Sequence, residues 1–181
     1  WFSTGPTLFL QRRTNVVLHL DFETRSRCDL LKHGAYNYAQ DPSTEIICMG
    51  WAIDDTPVKI WTPDQNIPTE IVGIFALPCS RIIHAHNAQF ERLISWYVLC
   101  VDQELPEPPL EAFYCTAAQA RARALPGNLG NLGQCLNLSI QKNRRGTELI
   151  KLLSVPQEDG EFNYDPDLLQ EIYDYCATDV D

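Results

Sequence analysis

Residues 15–24 read NVVLHLDFET, and this stretch decides the fold. Its apolar and β-branched side chains are typical of a buried β-strand, and the strand ends in carboxylates. Because side chains alternate between the two faces of a strand, Asp21 and Glu23 leave the same face side by side. Two such carboxylates repel each other, so they are either solvated at the end of a surface strand or held by a divalent cation. The motif alone leaves both alternatives open.

Two further strands are predicted downstream of this one. The segments TEIICMGWAIDD at residues 44–55 and TPVKIWTPD at residues 56–64 are rich in strand-forming side chains. The cluster DDTP at residues 54–57 is typical of a turn, so it joins the two strands directly. Together with the first strand, these segments predict an antiparallel meander of three strands.

The rest of the chain alternates between helices and strands. A short helix is predicted at residues 68–75 and a short buried strand at 81–87, and Asn87 is the expected N-cap of an amphipathic helix over 88–100. An edge strand is expected within residues 105–116. Four helices are predicted after it, within residues 116–125, 131–138, 146–154 and 165–181. This pattern indicates an α/β domain with an RNase H-like mixed sheet of about five strands, three antiparallel and the later ones parallel, with flanking helices.

The composition indicates one domain that is free of membrane contacts. The 181 residues are 45% hydrophobic, which suffices for one core, and we predict an irregular leader over residues 1–14 and a single domain over 15–181. No apolar run approaches the roughly 18 residues of a membrane-spanning helix. The seven scattered cysteines contain no Cys-x-x-Cys pair, which favours reduced thiols and a cytoplasmic location. The net charge of −10 argues against a broad basic face that coats duplex DNA.

Two later segments carry further side chains of chemical interest. In HAHNAQFE at residues 84–91 the predicted strand is followed by a helix, so Glu91 lies in a first helical turn beside a strand end. Near the end of the chain, Tyr175 and Asp179 are four residues apart on a predicted helix, which places them on one helical face. Each pattern is common in proteins and is weak evidence by itself.

The order and spacing of the three patterns are more specific. D-x-E on the first strand, N-x-x-F-E at a strand–helix junction and Y-x-x-x-D on a late helix resemble the three motifs of the DEDD superfamily of 3′→5′ exonucleases. The match is to its tyrosine-bearing branch, the proofreading domain attached to family-A DNA polymerases. The histidine-bearing branch has His five residues before the last Asp, and Asp174 stands there in this chain. The likeness runs from about Asn15 to the end, and residues 115–138 and 142–156 resemble the inter-motif region of phage and prophage-type family-A polymerases.

The resemblance implies a chemistry and a set of roles. The implied activity is hydrolysis of the terminal phosphodiester at single-stranded or frayed DNA 3′ ends, with release of nucleoside monophosphates during proofreading. Two divalent cations, Mg²⁺ or Mn²⁺, are implied. Asp21, Glu23 and Asp179 would hold one of them, and Asp21 with Glu91 would position the second. Tyr175 would orient the attacking water. The residues expected to contact the terminal nucleotide are Phe22, Thr24, Asn87 and Phe90.

The resemblance also implies partners and a setting. The expected partners are the 3′ end of single-stranded DNA, or of RNA, and a C-terminal polymerase domain in a longer chain. The expected location is the cytoplasm of a bacterial or phage-infected cell.

One departure from the family pattern keeps two alternatives open. The middle acid of the family is usually Asp, whereas this chain has Glu91, whose extra methylene shifts the carboxylate by roughly a bond length and alters metal geometry. The first alternative is a stand-alone or RNA-directed exonuclease similar to RNase D, because the motifs do not specify the sugar. The second is a catalytically silent RNase H-like module that only binds nucleic acid.

Overall fold

A five-stranded mixed sheet forms the centre of the structure, a computed structural model that describes residues 16–77, 82–138 and 145–180. The strand order is β3-β2-β1-β4-β5. β1, β2 and β3 are antiparallel neighbours, and β4 and β5 are added in parallel on the other side of β1. The predicted class is confirmed, because this mixed sheet with flanking helices is consistent with an RNase H-like fold. The strands are β1 Leu18–Arg25, β2 Glu45–Ile53, β3 Lys59–Trp61, β4 Ile83–Ala85 and β5 Phe113–Cys115.

The helices flank this sheet. The first of them was not predicted, and the later ones occur in the predicted order. A π-helical turn, Ser95–Leu99, joins α3 to α4, and a 3₁₀ turn, Leu110–Ala112, precedes β5. None of the helices within the described residues is long and apolar enough to cross a membrane. They are α1 Leu30–Gln40, α2 Thr69–Phe75, α3 Gln89–Ile94, α4 Cys100–Asp102, α5 Thr116–Ala122, α6 Leu129–Cys135, α7 Gly146–Leu153 and α8 Pro166–Val180.

Helix α1 is the one described helix of any length that the sequence pattern did not predict. Its helical geometry is interrupted at Gly34, whose φ is 77°, and it buries only Tyr38 and Ala39. An amphipathic stripe is therefore missing from its sequence. Its start does carry a signal, because the Asp29 side chain accepts hydrogen bonds from the backbone N–H groups of Leu31 and Lys32.

The predicted capping role of Asn87 was wrong. Helix α3 follows Ala88, which makes no side-chain capping hydrogen bond. Asn87 instead adopts a left-handed backbone conformation with φ 70° and is exposed. Asparagine tolerates this conformation better than most residues, so it turns the chain sharply between β4 and α3.

The sheet separates two apolar clusters. The main core packs one face of the sheet against α1, α2 and α3 and includes Leu20, Phe22 and Trp51. A smaller cluster on the other face joins β2 to α7 and α8. It consists of Ile47, Leu149, Leu153, Ile172 and Tyr175. Because the side chains of β1 alternate, the face that carries Asp21 and Glu23 is the one covered by α8.

A β-bulge in β2 contributes to the smaller cluster. Glu23 pairs with Cys48 and Thr24 pairs with Ile46, so Ile47 has no partner on β1. The extra residue allows Ile47 to point toward α8, where it packs in the cluster with Tyr175.

Candidate functional site

Three carboxylates from the two ends of the sequence converge where α8 crosses β1. Asp21 and Glu23 from β1 and Asp179 from α8 each offer an oxygen, and these oxygens lie within 4.8 Å of one another. Glu23 is only 8% exposed, whereas Asp21 and Asp179 are half-buried. Carboxylates this close repel one another unless a positive charge lies between them. Hard divalent cations prefer such oxygen ligands, so the three acids could hold a metal ion.

Gly50 allows α8 to approach the sheet closely enough to complete this cluster. It pairs with Asp21 across the strands, and a Cβ at this position would lie 3.0 Å from both the Cys176 carbonyl oxygen and Val180 Cγ2. Only a residue without a side chain leaves room for the helix backbone here. The absence of a side chain at Gly50 therefore sets the distance between the Asp179 carboxylate and the two acids of β1.

The buried thiol of Cys176 connects α8 to the acidic strand. Its sulfur accepts a hydrogen bond from the Gly50 N–H at 3.2 Å and donates to the carbonyl oxygen of Asp21 at 3.5 Å. The same sulfur lies 3.7 Å from Asp21 Oδ2. These contacts fix the backbone of Asp21 relative to the helix that carries Asp179.

Tyr175 lies beside the cluster as a protonated phenol. Its ring is buried and packs on Gly146, where any Cβ would collide with the ring carbons. Burial raises the pKa of Tyr175 above its ordinary value of 10, and the negative charge of Asp179 and the hydrogen bond between the two side chains raise it further. The hydroxyl therefore donates to the Asp179 carboxylate at neutral pH, and it does not act as a base. The predicted common face of Tyr175 and Asp179 is confirmed.

Glu91 is a buried carboxylate with an unsatisfied oxygen. It lies in the first turn of α3, is 4% exposed, and its Oε2 has no hydrogen-bond partner among the residues that the structure describes. Burial raises its pKa well above the ordinary 4.5, and the negative charge of the nearby Asp21 raises it further. An unpaired buried oxygen of this kind is costly without a partner. Glu91 is not one of the three acids whose oxygens lie within 4.8 Å of one another, and a cation beside it would give this oxygen a partner.

Replacing Glu91 with Gln should stabilise the metal-free protein at neutral and alkaline pH. The raised pKa of Glu91 means that the folded state binds a proton more tightly than the unfolded state. The resulting stability is complete below about pH 4.5 and is lost as the pH rises through the raised pKa. In EDTA at pH 8 we expect Glu91→Gln to melt about 2–6 °C above the parent, with the gap closing near pH 4.

Thermal unfolding followed by circular dichroism from pH 4 to 9 measures this gap. Adding Mn²⁺ should raise the melting temperature of the parent more than that of Glu91→Gln. A variant that is less stable than the parent across the whole pH range would contradict the buried, unpaired state of Glu91.

The four residues expected to contact a nucleotide divide into two pairs. Asn87 is exposed and Phe90 is half-buried, and both lie at the junction that carries Glu91. Phe22 is 4% exposed within the main core, and the buried Thr24 hydroxyl shares a hydrogen bond of 2.9 Å with the hydroxyl of Tyr38. Alternation along β1, which brings the two acids together, also turns Phe22 and Thr24 to the opposite face. The structure therefore places Asn87 and Phe90 beside Glu91 and turns Phe22 and Thr24 into the core, and contact of these four residues with a nucleotide stays a prediction.

Sequence reasoning missed several residues that shape the site. Gly50, Gly146 and Cys176 act through close packing, and Ile47 acts through the bulge. Only Gly50 carried a readable signal, because a glycine within a run of strand-forming residues often marks a close approach of other backbone.

Comparison with known proteins finds a relative among phage polymerases. The chain is 37% identical over 178 residues to a DNA polymerase of Bacillus phage SP02, in an alignment that covers 91% of this chain. The chain spans 26% of the length of that relative. No protein-family model matches the sequence. No solved structure matches it.

Proposed function

We propose that this chain is a metal-dependent 3′→5′ exonuclease domain that removes nucleotides from DNA ends as the proofreading part of a longer polymerase. The observation that supports this most strongly is the convergence of Asp21, Glu23 and Asp179, with oxygens within 4.8 Å of one another, in the motif order of the tyrosine-bearing DEDD exonucleases. In this proposal these three acids would hold one Mg²⁺ or Mn²⁺ ion, and Asp21 with Glu91 would hold a second.

The bound ions supply Lewis acidity, which lowers the pKa of a water molecule and stabilises the charge on a leaving 3′ oxygen. The protein supplies orientation. The Tyr175 hydroxyl donates to Asp179, and a phenol oxygen that donates in this way can also accept a hydrogen bond from the attacking water. The buried ring on Gly146 keeps that oxygen in place. Tyr175 is therefore an orienting group whose proton stays on the phenol.

The surface beside these acids can bind the 3′ end of a single-stranded DNA. Aromatic faces and a few polar groups can hold an unpaired nucleotide without a basic groove. Phe90 offers the aromatic face and Asn87 the polar group at the junction of β4 and α3. This mode of binding is compatible with the net charge of −10, which disfavours broad contacts with duplex phosphates.

The phage relative favours DNA over RNA as the substrate. That relative is a DNA polymerase, and the matched region is about a quarter of its length. A proofreading domain joined to a polymerase domain fits that proportion better than a stand-alone or RNA-directed exonuclease does. Cytoplasmic action on replicating DNA is part of the same proposal.

The direct test is digestion of a 5′-labelled single strand in Mn²⁺ or Mg²⁺. We expect a ladder of products shortened from the 3′ end, release of nucleoside monophosphates, and complete inhibition by EDTA. A matched strand with a blocked 3′ terminus should persist. Cleavage that ignores the block would indicate an endonuclease and overturn the proposal, and faster digestion of a matched RNA strand would favour the RNA-directed alternative. A catalytically silent module would give no products in either ion.

Removing the hydroxyl of Tyr175 should reduce the exonuclease rate with little effect on folding. Tyr175→Phe keeps the ring against Gly146 and Leu149 but removes the group that orients water. We expect the rate constant to fall about 10- to 100-fold while the melting temperature changes little. Tyr173→Phe on the same helix is the matched control and should retain parental activity. Equal rates for the parent and Tyr175→Phe would remove Tyr175 from the mechanism.

A further inference from the structure

A cavity of about 410 Å³ lies beside the outer edge of β2, outside the candidate site. None of the five residues proposed for catalysis lines it. Its volume falls within the range of roughly 300–1,000 Å³ that is usual for binding pockets. Its walls come from the start of β2, the end of β3, α4 and the first half of α8. We call this cavity the edge groove.

The edge groove follows the outer edge of the first half of β2. β3 pairs only with Met49, Gly50 and Trp51, although β2 begins at Glu45. Within the described residues, the half of β2 from Glu45 to Cys48 therefore has no strand on its outer side. Ile46 and Ile47 of this half line the groove. Open strand edges present backbone N–H and C=O groups to which an added strand can pair.

The negative charge of the edge groove favours a positively charged ligand. Carboxylates of Glu45, Asp64 and Asp102 line it, and among the described residues of its lining Arg25 is the one cation. That guanidinium is already paired with Glu45 at 2.8 Å and lies over the ring of Tyr164 at 4.3 Å. The excess of negative charge repels phosphates and favours a positively charged group.

Aromatic rings complete a surface suited to long basic side chains. Tyr164 is exposed and Tyr173 is half-buried where they line the edge groove, and the buried ring of Trp61 lies behind them in its lining. The aliphatic stems of lysine and arginine pack on such rings, and their charged ends reach nearby carboxylates. An extended chain along β2 would place alternate side chains on each side of the strand edge, toward Asp102 on α4 and toward Tyr173 on α8.

We propose that the edge groove binds an extended, lysine- or arginine-bearing segment of a partner protein, which adds a short strand to the open half of β2. The added strand continues the sheet beyond the point where β3 ends at Trp61. Its basic side chains pair with Asp64 and Asp102. This proposal is independent of the exonuclease activity.

The test measures binding of labelled peptides to the 181-residue chain by fluorescence anisotropy. The probe is a pool of fluorescein-labelled peptides in which lysine or arginine alternates with valine or threonine. We expect binding with a dissociation constant below about 1 mM that weakens as salt is added. A pool with glutamate at the basic positions should not bind. Methylation of alternate backbone nitrogens should abolish binding, because it removes the hydrogen-bond donors of an added strand.

Matched variants separate the edge groove from general attraction to an acidic protein. Asp64→Asn with Asp102→Asn should weaken peptide binding at least about tenfold. Glu111→Gln with Glu158→Gln removes the same charge from exposed residues that do not line the groove, and should bind like the parent. The proposal is overturned by absence of binding, by equal loss in both double variants, or by tight binding of the methylated peptide. Self-association of the chain that blocks binding of the peptide would show that the groove binds a second copy of the chain. This result would also overturn the proposal.

Discussion

Asparagine in place of Asp179 or Asp21 is expected to reduce the exonuclease rate by about 10³-fold or more without unfolding the protein. The substitution keeps the shape of the side chain but removes one of three negative charges whose oxygens lie within 4.8 Å of one another. Fewer charges relieve repulsion in the metal-free protein, so the melting temperature in EDTA should stay equal or rise. Affinity for Mn²⁺, measured by calorimetry, should fall together with the rate.

The matched control for this prediction is Asp174→Asn. Asp174 lies on the same helix, is exposed, and accepts a hydrogen bond from Gln170 Nε2 at 3.0 Å that asparagine can still accept. This control should keep the parental rate and Mn²⁺ affinity. Equal activity in the parent and in both site variants would mean that the activity comes from a contaminant or from another site.

A side chain at Gly50 is expected to disable the site and to destabilise the fold together. Gly50→Val would place atoms against the Cys176 carbonyl oxygen and Val180 Cγ2, which already lie 3.0 Å from an added Cβ. Helix α8 must then move away from β2 and carry Asp179 with it. We expect a loss of about 1–3 kcal/mol in the free energy of unfolding and at least a 100-fold lower rate, because misplacement by about 1 Å is sufficient for that.

A graded series distinguishes this steric effect from a general loss of strand stability. Gly50→Ala should have a smaller effect than Gly50→Val, and Val180→Ala should partly rescue Gly50→Ala by removing the atom that the new Cβ meets. Urea denaturation and initial rates measure the two effects separately. A Gly50→Val variant with parental rate and stability would show that α8 does not need this close approach.

Local periodicity predicted the elements that carry the site but could not predict how they meet. Alternation along residues 15–24 and helical spacing at the end of the chain place Asp21 with Glu23 and Tyr175 with Asp179. No local pattern predicts contact between segments that are more than 150 residues apart. Their convergence was expected only because the motifs resemble those of the DEDD exonucleases. The contacts that produce it, at Gly50 and Cys176, depend on tertiary packing.

The differences between the predicted and the observed positions of side chains have physical causes of the same kind. Asn87 has the side chain of a helix cap, but its left-handed backbone shows that the chain reversal decided its conformation. Phe22 and Thr24 were expected at a nucleotide because they flank the acids in sequence, although alternation turns them toward the core. The edge groove was not predictable, because it depends on β3 being only three residues long.

Because Ile47 is the extra residue of the β-bulge, the packing around Tyr175 can change without changing the pairing of β1 with β2. Every pairing between β1 and β2 is already satisfied without Ile47, so a chain that lacks it would keep the same strand partners in regular order. Such a deletion would remove Ile47 from the cluster that includes Tyr175, while the acids of β1 stayed in register. Related proteins could therefore gain or lose one residue at this position and so change how tightly Tyr175 is packed. The strand pairing elsewhere in the sheet would stay the same.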